Sequence, residues 1–189
     1  MKELINRNIL PVIYQHGGVG ASGDLIQLAH LALVLIGEGE VFYQGEVRPT
    51  QEVFAEEGLQ AIEIHLREGL ALMNGTSVMS GIGIVNSMEA GRLLELSIAA
   101  SCAINEIVAA YDDHFSQELN AAKLHPAQQD IAELMRQHLM DSQRIRKRDD
   151  HLYKTREEEV FKDKVQEYYS LRCVPQILGP VLETIRGVE

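Results

Sequence analysis

The chain has 189 residues, a formal net charge of −11 at pH 7, 46% hydrophobic and 5% aromatic residues and no tryptophan. That is enough to bury one substantial core, and the negative balance argues against binding nucleic acid or an anionic membrane through bulk electrostatics. Cys102 and Cys173 are the only cysteines and lack metal-type spacing, so free thiols and no metal are expected.

In chain order, an apolar run over residues 9–14 is interrupted by Pro11 and leads into Gly17-Gly18-Val19-Gly20-Ala21-Ser22-Gly23-Asp24. Four glycines in seven positions imply a loop bent in ways other residues resist. Asp24 is placed to cap an apolar helix over 25–36, which should be buried on most sides. That apolar stretch is too short to span a bilayer, and no basic-then-apolar leader opens the chain, so a cytoplasmic location is expected.

Two β-like runs surround Gln44-Gly45 and predict a small hairpin. A short helix is expected from Thr50 to Gly58, between Pro49 and the glycine. From about Ile62 to Phe115 apolar residues recur at helical spacing, and Gly75, Gly81 and Gly83 should divide this stretch into two or more helices, the later one long. A further helix is expected from His125-Pro126 through Leu139. Fifteen of the twenty-four residues in 141–164 are charged, which predicts a solvated stretch whose basic run at 144–148 is neutralised by neighbouring acids. A last helical segment covers 177–186. The chain then stops at Glu189 and reads as cut within an element. The fold class is mainly α: a bundle of long helices with one small β-hairpin.

Chemistry can be placed at three points. If the loop presses the Gly23 nitrogen onto the Ala21 carbonyl carbon, a five-membered ring can close with loss of water. Loss of the Ser22 hydroxyl as a second water then leaves an electrophilic methylene. Asn74, in Leu72-Met73-Asn74-Gly75-Thr76, is either a helix cap beside Gly75 or a functional amide. Gln166, Tyr169 and Arg172 are spaced by three and share a face if helical. Arg172 then offers a planar clamp for a carboxylate, or is a solvated surface residue. A rival reading takes Gly18-Val19-Gly20-Ala21-Ser22-Gly23 as a dinucleotide-binding G-x-G-x-x-G with Glu40 or Glu46 on the ribose. Pro11 in the preceding run and the lack of alternating strand-helix units weigh against it.

The Gly-rich string, the Asn74 segment and Gln166 through Gln176, in that order, resemble the aromatic amino acid ammonia-lyases and aminomutases. The resemblance implies that Ala21-Ser22-Gly23 matures into methylidene-imidazolone, a self-derived prosthetic group needing no external cofactor or metal. It implies catalytic roles for Asn74, Gln166, Tyr169 and Arg172, an aromatic amino acid as substrate, and a homotetramer whose sites are built from several subunits. Gly37-Glu38-Gly39-Glu40, Tyr43-Gln44-Gly45 and Tyr169-Ser170-Leu171-Arg172-Cys173 look most like bacterial histidine ammonia-lyases, which convert L-histidine to trans-urocanate. Phenylalanine and tyrosine lyases, aminomutases and a non-catalytic fragment are the alternatives.

The sequence departs from the family pattern at Glu167-Tyr168, where Asp-Pro is usual, and at Ala127, where Gly is common. The resemblance further implies that the family's tyrosine base and an acidic substrate-facing residue lie outside this stretch, so the chain alone is expected to be inactive. The expected organisation is a partial piece of a larger all-α lyase fold. It comprises a prosthetic-group loop and helical core over 1–140, a charged linker over 141–164, and an active-site segment with a truncated helix over 165–189.

Overall fold

A computed structural model describes residues 1–151 and 164–188. The chain divides into two compact units, Met1–Ile84 and Val85–Glu189. The first contains α1 (Lys2–Asn6), β1 (Leu10–Pro11), α2 (Leu25–Leu35), β2 (Glu40–Tyr43), β3 (Glu46–Pro49), α3 (Thr50–Glu57) and α4 (Glu68–Met73). Helix α5 (Ser77–Ile107) crosses the division. A 3-10 turn (Asp112–Phe115), α6 (Gln117–Ala121), α7 (Pro126–Leu139), α8 (Arg148–His151), α9 (Tyr169–Arg172) and α10 (Val174–Val188) follow. The expected linker 141–164 falls inside the second unit, and its residues 152–163 lie outside the described residues.

In the first unit the predicted hairpin is present, with Gln44 at φ 52 and Gly45 at φ 90. Two successive positive φ values give the turn twist that antiparallel strands favour. The sheet has one strand more than expected. β1 pairs antiparallel with β2, Leu10 opposite Phe42 and Pro11 opposite Val41, giving the order β1-β2-β3. Pro11 is tolerated because β1 is an edge. Along β2 the side chains alternate, Val41 and Tyr43 buried and Glu40 and Phe42 exposed. The inward pair joins Leu4, Ile9, Val34, Val53 and Phe54 in one core cluster, where each large apolar side chain is worth about 1.5–3 kcal/mol relative to exposure. Its rim is polar. Arg7 Nη1 donates to Glu57 Oε2 at 2.6 Å, and the Tyr43 hydroxyl donates to the other Glu57 oxygen. The tyrosine and arginine hydrogen bonds hold the Glu57 carboxyl below its usual pKa.

Helix α3 ends where expected, at Gly58 with φ 63. The long apolar stretch divides as α4 and α5 at Gly75, but Gly81 and Gly83 lie within α5 and do not break it. The helical pattern also starts later than its apolar residues suggested, at Glu68.

In the second unit Leu94, Ile98 and Cys102 of α5 meet Ile131, Met135 and Leu139 of α7, with Phe115 and Val174. Gly179 lets α10 lie close on α7, because a Cβ there would sit 2.9 Å from the Gln128 Cα. Burial, with help from Glu106, pushes the Cys102 thiol up to about 11. The described residues of the 141–164 stretch are less solvated than their composition predicts: Ile145 packs on the core and the Arg148 side chain is only 12% exposed. No helix among the described residues is long and apolar enough to cross a membrane.

Candidate active site

The Gly-rich loop of the first unit is wound as its composition predicts. Gly17, Gly20, Ser22 and Gly23 have φ values of 127, 56, 59 and 84. Ser22 is the telling member, since a side chain in the left-handed region costs energy that the surroundings must hold in place. At Gly23 there is no alternative residue: a Cβ would lie 2.4 Å from the Gly75 carbonyl oxygen and 3.2 Å from its carbon. The same oxygen accepts the Asp24 amide at 2.8 Å. Ala21 and Ser22 remain exposed, beside a concavity of about 430 Å³ lined by His16, Gly20, Gly23, Asp24, Gln27 and Met79 among others.

Asp24 does not do what its position suggests. It stands at the start of α2 but makes no side-chain cap there. Its Oδ2 instead accepts the Met79 amide at 2.9 Å, in the first turn of α5. This satisfies one of the donors a helix start leaves unpaired, and it ties the loop to the α4–α5 connection. Asn74 is the residue after α4, at φ −89 and ψ 87, with its amide donating to Leu70 O at 2.9 Å. Its side chain is exposed and it immediately precedes the glycine that Gly23 touches. The structure therefore brings Gly23, Asp24 and the Asn74-Gly75 turn together.

Gln166, Tyr169 and Arg172 belong to the second unit and are described by themselves. Helix α9 contains only Tyr169 and Arg172; Gln166 precedes it in irregular chain. The three still gather. With its amide oriented to satisfy both groups, Gln166 accepts from Arg172 Nη1 at 3.1 Å and Nη2 at 3.2 Å. The Arg172 guanidinium carbon lies 4.3 Å from the Tyr169 ring centroid. Among the described residues no carboxylate forms an ion pair with Arg172. Its Nε is buried without a partner, as are His114 Nε2 and Gln176 Oε1. All three residues line a cavity of about 420 Å³ with Asp113, Arg148 and Gln166.

Sequence reasoning did not single out His114, Asp113 and Arg148. His114 is buried, its Nδ1 3.4 Å from Asp113 Oδ1. Burial lowers its pKa; Arg148 and Arg172 also lower it, and Asp113 and Glu167 act against them. The only trace of this cluster in the sequence is Asp112-Asp113-His114-Phe115, which carries no periodic signal.

Residues 1–189 match the family described as aromatic amino acid lyase over their full length. The chain belongs to the aromatic amino acid lyase family. A tyrosine 2,3-aminomutase of Myxococcus sp. is 45% identical over 98% of this chain and 37% of its own length. A histidine ammonia-lyase of Myxococcus xanthus is 39% identical over 97% of this chain and 34% of its own. Among solved lyase-family structures, the Pantoea agglomerans phenylalanine aminomutase superposes with a TM-score of 0.87 at 30% identity, covering 98% of this chain and 37% of that one. The chain thus spans about a third of the length of the relatives it matches. The likeness also disposes of the dinucleotide reading, whose parallel strand-helix-strand unit is absent among the described residues: the strand before the loop pairs antiparallel. Nor does any group of three or more His, Cys, Asp or Glu among the described residues suit a metal ion.

Proposed function

We propose that the protein carrying this sequence is a histidine ammonia-lyase, which eliminates ammonia from L-histidine to give trans-urocanate with a methylidene-imidazolone formed from Ala21-Ser22-Gly23. The observation that carries the reading is the contact between Gly23 and the Gly75 carbonyl, which leaves no room for a Cβ. Ser22 and Gly23 are both at positive φ, a bend in the direction that closure of the tripeptide on itself requires. The residues present therefore fit the group. When formed, it supplies an electrophile that takes up electron density from the amino acid during elimination.

The rest is positioning and electrostatics by the chain itself. The first turn of α2 lacks a side-chain cap, so its free amides favour negative charge at the loop. Asn74, one residue from the Gly23 contact, is assigned to hold substrate or loop by its amide. Arg172, whose partners Gln166 and Tyr169 are neutral, is assigned the substrate carboxylate. Tyr169 is assigned proton exchange. Large apolar residues stand exposed along α5, among them Ile84, Met88, Leu96 and Ile107 at 64, 59, 65 and 66%. Exposure on this scale supports burial of α5 in an oligomer of the whole protein, a homotetramer in this reading.

A second reading, tyrosine aminomutase, is favoured by the 45% identity to the Myxococcus enzyme. Supplying the assembled protein with L-histidine, L-tyrosine and L-phenylalanine separates the two. Urocanate and free ammonia are expected from histidine; a β-amino acid from tyrosine would select the aminomutase, and no product from any of the three would end both. The chain by itself is expected to give no turnover. Ring formation is read independently by intact mass: two waters are lost per mature chain, and at most one in Ser22→Ala, which has no side-chain hydroxyl to eliminate.

A further inference from the structure

The segment 164–168 carries Gln166 and leads into α9, yet it contains neither helix nor strand. Within it Lys164 pairs with Glu167 and stands over the Tyr168 ring, but with no ladder of its own its backbone carbonyls need donors from outside. Two such groups meet its carbonyls: the Tyr111 hydroxyl donates to Lys164 O at 3.0 Å, and Arg148 Nη1 donates to Val165 O at 3.0 Å. The arginine is itself held on several sides. Its Nε lies 2.6 Å from Asp113 Oδ2, an ion pair without hydrogen-bond geometry, its backbone amide donates to Asp112 Oδ1 at 3.1 Å, and its guanidinium carbon stands 4.5 Å from the Tyr111 ring centroid. The platform below is backbone: Arg146 N donates to Ala110 O at 2.9 Å and Asp112 N to Arg146 O at 3.0 Å.

We propose that Arg148 is a positioning residue that fixes the 164–168 segment, and through it the orientation of Gln166 and Arg172 toward a substrate carboxylate. Its guanidinium meets a carboxylate, an aromatic face and a carbonyl at once, and a lysine ammonium could not serve all three from one plane. Val165, which it holds, is the neighbour of Gln166, and Gln166 in turn accepts from both Arg172 Nη atoms. Arg148, Asp113, Gln166 and Arg172 line the same cavity, and the path from the arginine to the pair runs through Val165. The link to a carboxylate rests on the functional reading above; the hold on the segment does not.

Two measurements test it on Arg148→Met and Arg148→Lys, with Arg144→Met as control, since Arg144 Nη2 donates to Ile107 O at 3.2 Å and not to the segment. In the present chain, hydrogen exchange of amides 165–172 is expected to speed up about tenfold or more in Arg148→Met, less in the lysine variant, and not in the control. Unchanged exchange there, or equal acceleration throughout α7 and α10 in both variants, would overturn the proposal. In the assembled protein, Arg148→Met is expected to weaken inhibition by D-histidine about tenfold and inhibition by histamine, which lacks the carboxylate, less than about twofold. Equal losses for the two would overturn the carboxylate link. If the unaltered protein releases no ammonia from any aromatic amino acid, the functional reading fails, while the exchange measurement still decides whether Arg148 holds the segment.

Discussion

Replacing Gly23 by alanine tests the loop most directly, because two separate costs can be worked from its geometry. At φ 84 a side chain pays about 1–2 kcal/mol for the left-handed region. The new Cβ also starts 2.4 Å from the Gly75 oxygen, roughly 1 Å inside ordinary contact, so backbone must move against backbone. That oxygen accepts the Asp24 amide at 2.8 Å, a bond worth about 0.5–1.5 kcal/mol net. Together the substitution should cost about 1.5–3.5 kcal/mol. Hydrogen exchange at the Asp24 amide reads this locally, and the expected acceleration is roughly 10- to 400-fold. Gly20→Ala is the internal comparison: it has φ 56 but nothing within 4 Å of its Cβ, so it should show only the backbone cost of about 1–2 kcal/mol. If the two variants exchange alike at Asp24, the contact with Gly75 does not constrain the loop. Water loss on maturation should fail in Gly23→Ala and survive in Gly20→Ala.

Asp24→Ala removes the acceptor of the Met79 amide and should destabilise the start of α5 by about 1 kcal/mol, read as faster exchange at Met79 with little change along the rest of α2. Alkylation of the native chain near pH 8 should label half-buried Cys173 well before Cys102, whose buried thiol, near 11, leaves about one thiolate in a thousand; prompt labelling of Cys102 would refute its burial. His114 prefers its neutral form because of burial. The unfolded chain takes up this proton near the ordinary histidine value of 6.5 and the folded chain only at lower pH. The second unit should therefore lose stability as pH falls from 6.5 toward the lower folded value, and His114→Phe should flatten that dependence in urea melts. A slope unchanged by the substitution would mean that another group carries it.

The hairpin was legible because Gln44-Gly45 is a local instruction, and α3 and α7 because proline and glycine punctuate them. The tight turn around Ala21-Ser22-Gly23 was legible for the same reason: a crowded turn advertises itself in glycines. What could not be read was decided by partners distant in sequence. Asp24 looks like the cap of the helix it precedes, and only the return of the chain at Gly75 gives its carboxylate another helix to serve. Gly81 and Gly83 look like breaks, but helical continuity from Ser77 onward absorbs them. Arg148 sits in a run whose composition says solvent. Its burial depends on Tyr111 and Asp113 more than thirty residues earlier and on Val165 beyond the undescribed stretch. Composition averages over such a run and so misses the one member that is held.

The carboxylate of Asp24 gives the loop a reference point that local sequence could not provide. Because the Asp24 backbone continues from Gly23 while its carboxylate accepts from Met79, the residue ties the turn to the beginning of a thirty-one-residue helix. Whatever fixes the first turn of α5 therefore also helps to fix the turn that precedes α2.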